Sequence, residues 1–110
     1  MASPTKAPAL TNEQRRAALD KAMKVRMARH AFLSDISHSK ISVPEAMGRI
    51  DSDSIVGRTR VSAFIKAVPN FGTAKTKRIM EGIGISANRR LQGLGRRQRE
   101  ALTKALSNEH

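Results

Sequence analysis

The chain has 110 residues, with 21 Lys and Arg against 9 Asp and Glu, a formal net charge of +12 and a pI near 11.5. That length suits one domain with a modest core. The charge opposes compaction and points to a polyanionic partner, nucleic acid ahead of an anionic membrane or an acidic protein. With no cysteine, disulfides, thiolate metal sites and cysteine nucleophiles are excluded. No apolar run approaches the roughly 20 residues of a membrane span.

Residues 1–10, MASPTKAPAL, hold two prolines and few apolar groups and are expected to form a flexible basic tail. They lack the hydrophobic core of a secretion signal, which fits a cytoplasmic protein. Thr11 and Gln14 have capping-box spacing and open a long helix over about 12–36. Its apolar positions Ala18, Ala22, Val25, Phe32 and Ile36 recur at helical spacing. SHSKIS (37–42) breaks the pattern, and Ser42 with Glu45 starts a second capping box, with Pro44 tolerated in the first turn of a short helix over 43–50. DSDSIVG (51–57) is a polar connection with room for one brief helical turn.

Val61, Phe64, Ile65 and Val68 mark one face of a helix over 60–67. Pro69 ends it, and Gly72 is expected to supply the positive φ of the tight turn that follows. A helix over 73–82 turns Thr76, Ile79, Met80 and Ile83 inward and Ala74, Lys75, Lys77 and Arg78 outward. Gly82 and Gly84 are its candidate C-caps. After a turn at Asn88, Arg89 and Arg90, a last helix over 95–106 has Leu91, Leu94, Ala101, Leu102, Ala105 and Leu106 inside and Arg96, Arg97 and Arg99 outside. No segment alternates with period two, so the fold class is all-α.

The charge is uneven. Residues 1–54 carry net +3 and residues 55–110 net +9. Two features of the second half stand above the ordinary reading of a solvated surface. The first is VPNFGTAKTKRIMEGIGI (68–85), where a tight bend leads into a basic helix whose N-terminal N–H groups suit a phosphate. The second is SANRRLQGLGRRQRE (86–100). The helix dipole disfavours cations at a helix N-terminus, so arginines there are locally costly unless an anion completes them. His30 and His38, eight residues apart, lack chelating spacing and are read as ordinary histidines. The hydroxyl residues lack a base and an orienting acid, and there is no Walker or dinucleotide-binding loop. The chain is therefore read as a non-enzyme without cofactor or metal. With no Trp or Tyr and three Phe, stacking platforms for a single strand are scarce, which favours a duplex. Pro69 either terminates its helix or also wedges between base steps.

The stretches RVSAFIKAVPNFGTAKTKRIMEGIGIS, NRRLQGLGRRQREAL and LTNEQRRAALDKA together resemble the actinobacterial, mycobacterial-type integration host factors over residues 10–106. The resemblance implies a long N-terminal helix (11–36) packed on a compact helix–two-turns–helix domain (43–110) like that of ribosomal protein S13. It also implies a small nucleoid-associated protein that binds and bends duplex DNA with little sequence preference and supports phage integration. The family's DNA-contacting turn falls on Pro69, Asn70, Phe71, Gly72, Thr73, Ala74 and Lys75. Its second basic element falls on Arg89 and Arg90, with Gln92 where the family often has a basic residue. Lys77 and Arg78 join these as expected phosphate ligands, and Arg15, Arg16, Lys21, Lys24, Arg26 and Arg29 are candidates for a second DNA contact. A phage integrase or other recombination complex is a candidate partner for a protein expected to be monomeric in solution. The competing readings are a ribosomal or RNA-associated structural protein and a protein–protein adaptor.

Overall fold

The computed structural model describes residues 11–108, so the tail expected over 1–10 lies outside the described residues. Six α-helices follow in order: α1 (Asn12–Ser37), α2 (Val43–Gly48), α3 (Ser54–Gly57), α4 (Val61–Ala67), α5 (Thr73–Ile83) and α6 (Arg96–Asn108). A 3-10 turn (Leu91–Gly93) precedes α6. No strand occurs among the described residues, so the all-α expectation holds; one isolated β-bridge pairs Arg60 with Arg90.

Helix α1 starts on a complete capping box. Thr11 Oγ1 accepts the Gln14 N–H at 3.0 Å, and Gln14 Oε1 accepts the Thr11 N–H at 2.9 Å. At 1.5 Å per residue the helix runs about 39 Å, and only its C-terminal part meets the body, packing on α3 and α4. Phe32 and Ile36 are buried there, and Phe32 stacks nearly parallel on Phe64 with centroids 6.2 Å apart. The expected stripe is thus only partly used. Ala18 and Ala22 are exposed and Val25 is half-buried, because every residue from 11 to 24 stands clear of the body. Leu19, Met23 and Met27 are instead left 66%, 53% and 64% exposed.

The short helices draw little stability from their own length and are held by caps and packing. Ser42 Oγ accepts the Glu45 N–H at 3.2 Å, but the reciprocal half of the expected capping box is not used, since the Glu45 carboxylate takes a hydrogen bond from Arg49. Asp53 caps α3 by accepting the Ile55 N–H at 2.9 Å. At Gly57 a Cβ would lie 2.6 Å from the Ile50 carbonyl oxygen and 3.0 Å from Gln92 Oε1. Only glycine lets α3 approach both.

Val61, Phe64, Ile65 and Val68 are buried, as their spacing predicts. Val68, before the proline, is extended (φ −68°, ψ 132°), which stops α4. Helix α5 ends at Gly84 in left-handed geometry (φ 85°), and the Gly84 and Ile85 N–H groups both donate to the Met80 carbonyl at 2.9 and 2.8 Å. Leu102 and Leu106 pin α6 from within; Ala101, expected on that face, is exposed and Ala105 half-buried. At about 100° per residue Ala101 points a quarter turn away from Leu102. The core gathers Phe64, Ile65, Ile36, Ile50, Leu91, Leu102 and Leu106. Each large apolar side chain buried there contributes about 1.5–3 kcal/mol.

Candidate nucleic-acid interface

The bend between α4 and α5 is built by three residues with separate tasks. Pro69 fixes its own φ, and Asn70 adopts φ 75°, the proline-then-positive-φ order of a type II turn. The Phe71 N–H donates to the Val68 carbonyl at 3.2 Å and closes it. Asn70 therefore takes the positive φ that was expected of Gly72. Gly72 itself is extended (φ −93°) and is the N-cap of α5. A Cβ at Gly72 would meet nothing within 4 Å, so glycine here keeps the approach to the helix end bare. No side chain caps α5. Gly72, Thr73 and Ala74 are exposed, and the first-turn N–H groups of Thr73 and Ala74 have no acceptor within the helix. The Gly72 carbonyl is occupied from behind by Thr76, through its N–H at 3.0 Å and its Oγ1 at 2.8 Å.

The other expected members of this turn are divided between core and rim. Phe71 is buried, so it anchors the bend rather than offering its ring to solvent. Lys75 is half-buried and lays Nζ over the Phe71 ring, 5.5 Å from the centroid. Pro69 is half-buried and edges a cleft of about 240 Å³ with Ile36, Ile41, Val43, Pro44 and Val68. Lys77 and Arg78 are exposed, and Lys77 lines a shallow cleft of about 390 Å³ between α4 and α5 together with Lys66.

At the opposite end of α4, about 10 Å away along the helix axis, the bridge joins residues 59–61 to 89–91. The Val61 N–H donates to the Arg89 carbonyl at 3.0 Å, and the Leu91 N–H donates to the Thr59 carbonyl at 2.9 Å. Thr59 is buried beneath, its hydroxyl donating to the Ile55 carbonyl at 2.7 Å. This backbone presents Arg89 and Arg90 to solvent and sets Arg58 and Arg60, which the sequence reading passed over, beside them; all four are exposed. Arg90 Nη1 donates to the Arg58 carbonyl at 2.9 Å, and Arg89 Nη1 donates to the Gly93 carbonyl at 3.3 Å.

Residues 36–106 match the S13-like H2TH domain family. The integration host factor of Mycobacterium tuberculosis is 40% identical over 95 residues, which span 86% of this chain and 90% of that protein. That of Streptomyces coelicolor is 38% identical over 97 residues, 88% and 91% of the two chains. The chain belongs to the actinobacterial integration host factor family. A solved structure, described as sIHF bound to an 8bp palindromic DNA, superposes with a TM-score of 0.75 at 32% identity, covering 79% of this chain and 98% of that one.

Within this fold the paired carboxylates Glu45, Asp51 and Glu100 lie outside both basic elements, whereas Glu81 stands on α5 itself and lines the same cleft as Lys77. Among the described residues the ion pairs are Glu45–Arg49, Glu100–Arg96 at 3.9 Å and Asp51–Arg99 at 2.8 Å. None involves Arg58, Arg60, Lys77, Arg78, Arg89 or Arg90. Arg99 was expected on the outer basic face with Arg96 and Arg97. It turns inward, binding both Asp51 oxygens at 2.8 and 3.1 Å and donating to the Leu94 carbonyl at 3.1 Å and the Gln92 carbonyl at 3.4 Å. The guanidinium holds the Asp51 carboxyl below its usual range, and Asp51 in turn raises Arg99. Arg99 thus ties down the loop after Arg89 and Arg90. Gln92 lies in that loop, with its side chain against Gly57.

The six basic residues of α1 do not converge. At 100° per residue, Arg15, Arg26 and Arg16 fall on one side, whereas Lys21 and Lys24 fall on the other. Arg29 is half-buried and its Nε is enclosed without a hydrogen-bond partner. No helix among the described residues is long and apolar enough to cross a membrane.

Proposed function

We propose that this family member is a non-enzymatic architectural protein that grips duplex DNA by its backbone and bends or compacts it with little sequence preference. The observation that carries the reading is the uncapped N-terminus of α5, reached over the bare Gly72 and followed by Lys75, Lys77 and Arg78, with Arg89 and Arg90 at the other end of α4. The two elements stand at opposite ends of α4, whose seven residues run about 10 Å, a length on the scale of a DNA groove that suits contacts to both strands. Thr73 and Ala74 N–H groups and the helix dipole receive one phosphate, and Asn70 and Gly72 shape the approach. The likeness to a DNA-bound sIHF supports the same partner, and the RNA-associated alternative is not favoured. Residues 43–110 act as the DNA-binding unit, with 11–36 as the helix that braces it and offers Arg15, Arg16 and Arg26 for a second contact. The protein works in the cytoplasm on the nucleoid, arrives as a monomer, and assists an integrase or other recombination complex by shaping its DNA.

Pro69 presses its outer edge on the bases while its inner edge lines the cleft shared with Val68 and Pro44. Circular-permutation mobility on short duplexes tests binding and bending together, with Pro69→Ala beside the parent. The parent should bend the duplex, and the variant should bind with a smaller bend. A parent that binds without bending defeats the architectural reading, and preference for structured RNA in direct competition would reassign the partner.

A further inference from the structure

The bridge between residues 59–61 and 89–91 opposes two arginines that the sequence separates by thirty positions. Its two hydrogen bonds, Val61 to Arg89 and Leu91 to Thr59, make Arg60 and Arg90 the antiparallel pair that does not itself exchange bonds. In that pairing the Cα atoms approach to about 4.5 Å and both side chains leave on the same face. Like charges set directly opposite are destabilising. Both residues are exposed, neither has a carboxylate partner among the described residues, and Arg58 and Arg89 flank them with the same sign. The backbone cannot easily open to relieve this, because Thr59 beneath is buried and hydrogen-bonded. One donor of Arg90 is engaged with the Arg58 carbonyl. A guanidinium has five N–H donors, which leaves four on Arg90 for a ligand.

We propose that Arg60 and Arg90, opposed across the isolated bridge, form a two-guanidinium clamp that closes on a single phosphodiester group, with Arg58 and Arg89 adding charge at its flanks. A planar fork matches two oxygens of a phosphate, and two forks from adjacent Cα atoms enclose one tetrahedral anion from both sides. The anion offsets the repulsion between the two opposed guanidinium groups. The inference rests on the duplex-DNA reading and adds to it a ligand set, Arg58 and Arg60, outside the turn and outside the Arg89–Arg90 dipeptide.

Duplex affinity measured by fluorescence anisotropy across a salt series tests the clamp with the parent, R60Q, R90Q and the double variant. Each single variant should weaken binding about tenfold, and the double variant little further, because both arginines serve one phosphate. The log–log salt slope should shrink by about 0.9, one phosphate's worth, in all three. R60K keeps the charge and loses the fork, so it should keep the slope while binding more weakly. Without DNA, R60Q should melt no lower than the parent, since it removes a repulsion. Unchanged affinity of R60Q, or additive losses with a doubled change in slope, overturns the clamp while leaving the DNA reading intact. A lowered Tm of free R60Q matching its loss of affinity assigns Arg60 a structural role and also overturns it. If inorganic phosphate raises the parent's Tm while R60Q binds duplex normally, the pair serves a free anion and the inference fails. A parent with a salt slope near zero removes the DNA reading itself.

Discussion

Helices α1 and α5 are both basic helices that carry an apolar stripe, yet they use it in opposite ways. In α5, eleven residues long, Thr76 and Met80 are buried and Ile79 and Ile83 half-buried, so the stripe locks the helix to the body and the charged face looks outward. In α1 the stripe through Phe32 and Ile36 is locked in the same way, but the helix outruns the body. Upstream of Phe32 it carries Leu19, Met23 and Met27 in the open. Reach, not composition, separates the two: an apolar residue contributes to stability only where another element meets it. Truncation gives the sharpest contrast. Phe64→Ala removes a fully buried ring that stacks on Phe32 and should cost about 3–5 kcal/mol in urea unfolding, whereas Met23→Ala should stay within about 0.5 kcal/mol of the parent. A large loss from Met23→Ala would mean that the arm is covered in solution.

The same contrast explains what could be read from the sequence. Helices α1, α4 and α5, with the cap at Thr11, the stop before Pro69 and the cap at Gly84, were legible because propensity, periodicity and capping chemistry all act within a few residues. The turn from Pro69 was legible as a turn, but the positive φ fell to Asn70. Asparagine tolerates that geometry nearly as readily as glycine, and nothing local chose between them. The apolar positions of α1 were read on one stripe because periodicity cannot tell where the body ends. Arg99 was counted with Arg96 and Arg97, since its partner Asp51 lies 48 residues away. The bridge left no periodic signal at all. One pair of residues across a gap of thirty is invisible to any pattern rule, and with it Arg58 and Arg60 went unread.

A smaller effect should appear in acid. Asp51, held below its ordinary range by the Arg99 guanidinium, gives up a proton more readily in the folded chain than in the unfolded one. Its contribution is therefore complete above the ordinary aspartate range and is lost as pH falls through the lowered folded value. Asp51→Asn should flatten the acid limb of a plot of Tm against pH while barely moving the neutral plateau. The Asp51 side chain is 78% exposed, so added salt should shrink the difference further. An identical acid limb in the two proteins would show that the pair does not persist in solution. Because Arg99 also holds the Gln92 and Leu94 carbonyls, the variant additionally reports whether that loop needs Asp51 to stay in place.

The smallest effect belongs to the far end of α1. Thr11→Ala deletes the Oγ1 acceptor of the capping box, while the N–H of residue 11 can still donate to Gln14 Oε1; losing such an acceptor costs about 1 kcal/mol where a helix end is tied to the fold. Here residues 12–24 are all exposed, and a segment of that length is near the limit of roughly 12–15 residues below which isolated helices are marginal. The lost cap should therefore appear as local fraying, with faster amide hydrogen exchange over the first turns and slightly lower helicity. The cooperative transition, set by the core around Phe64 and Leu102, should not move. A Tm lowered by several degrees would show that the arm and the body unfold as one unit. In that case the difference between α1 and α5 would be one of exposure only and not of stability.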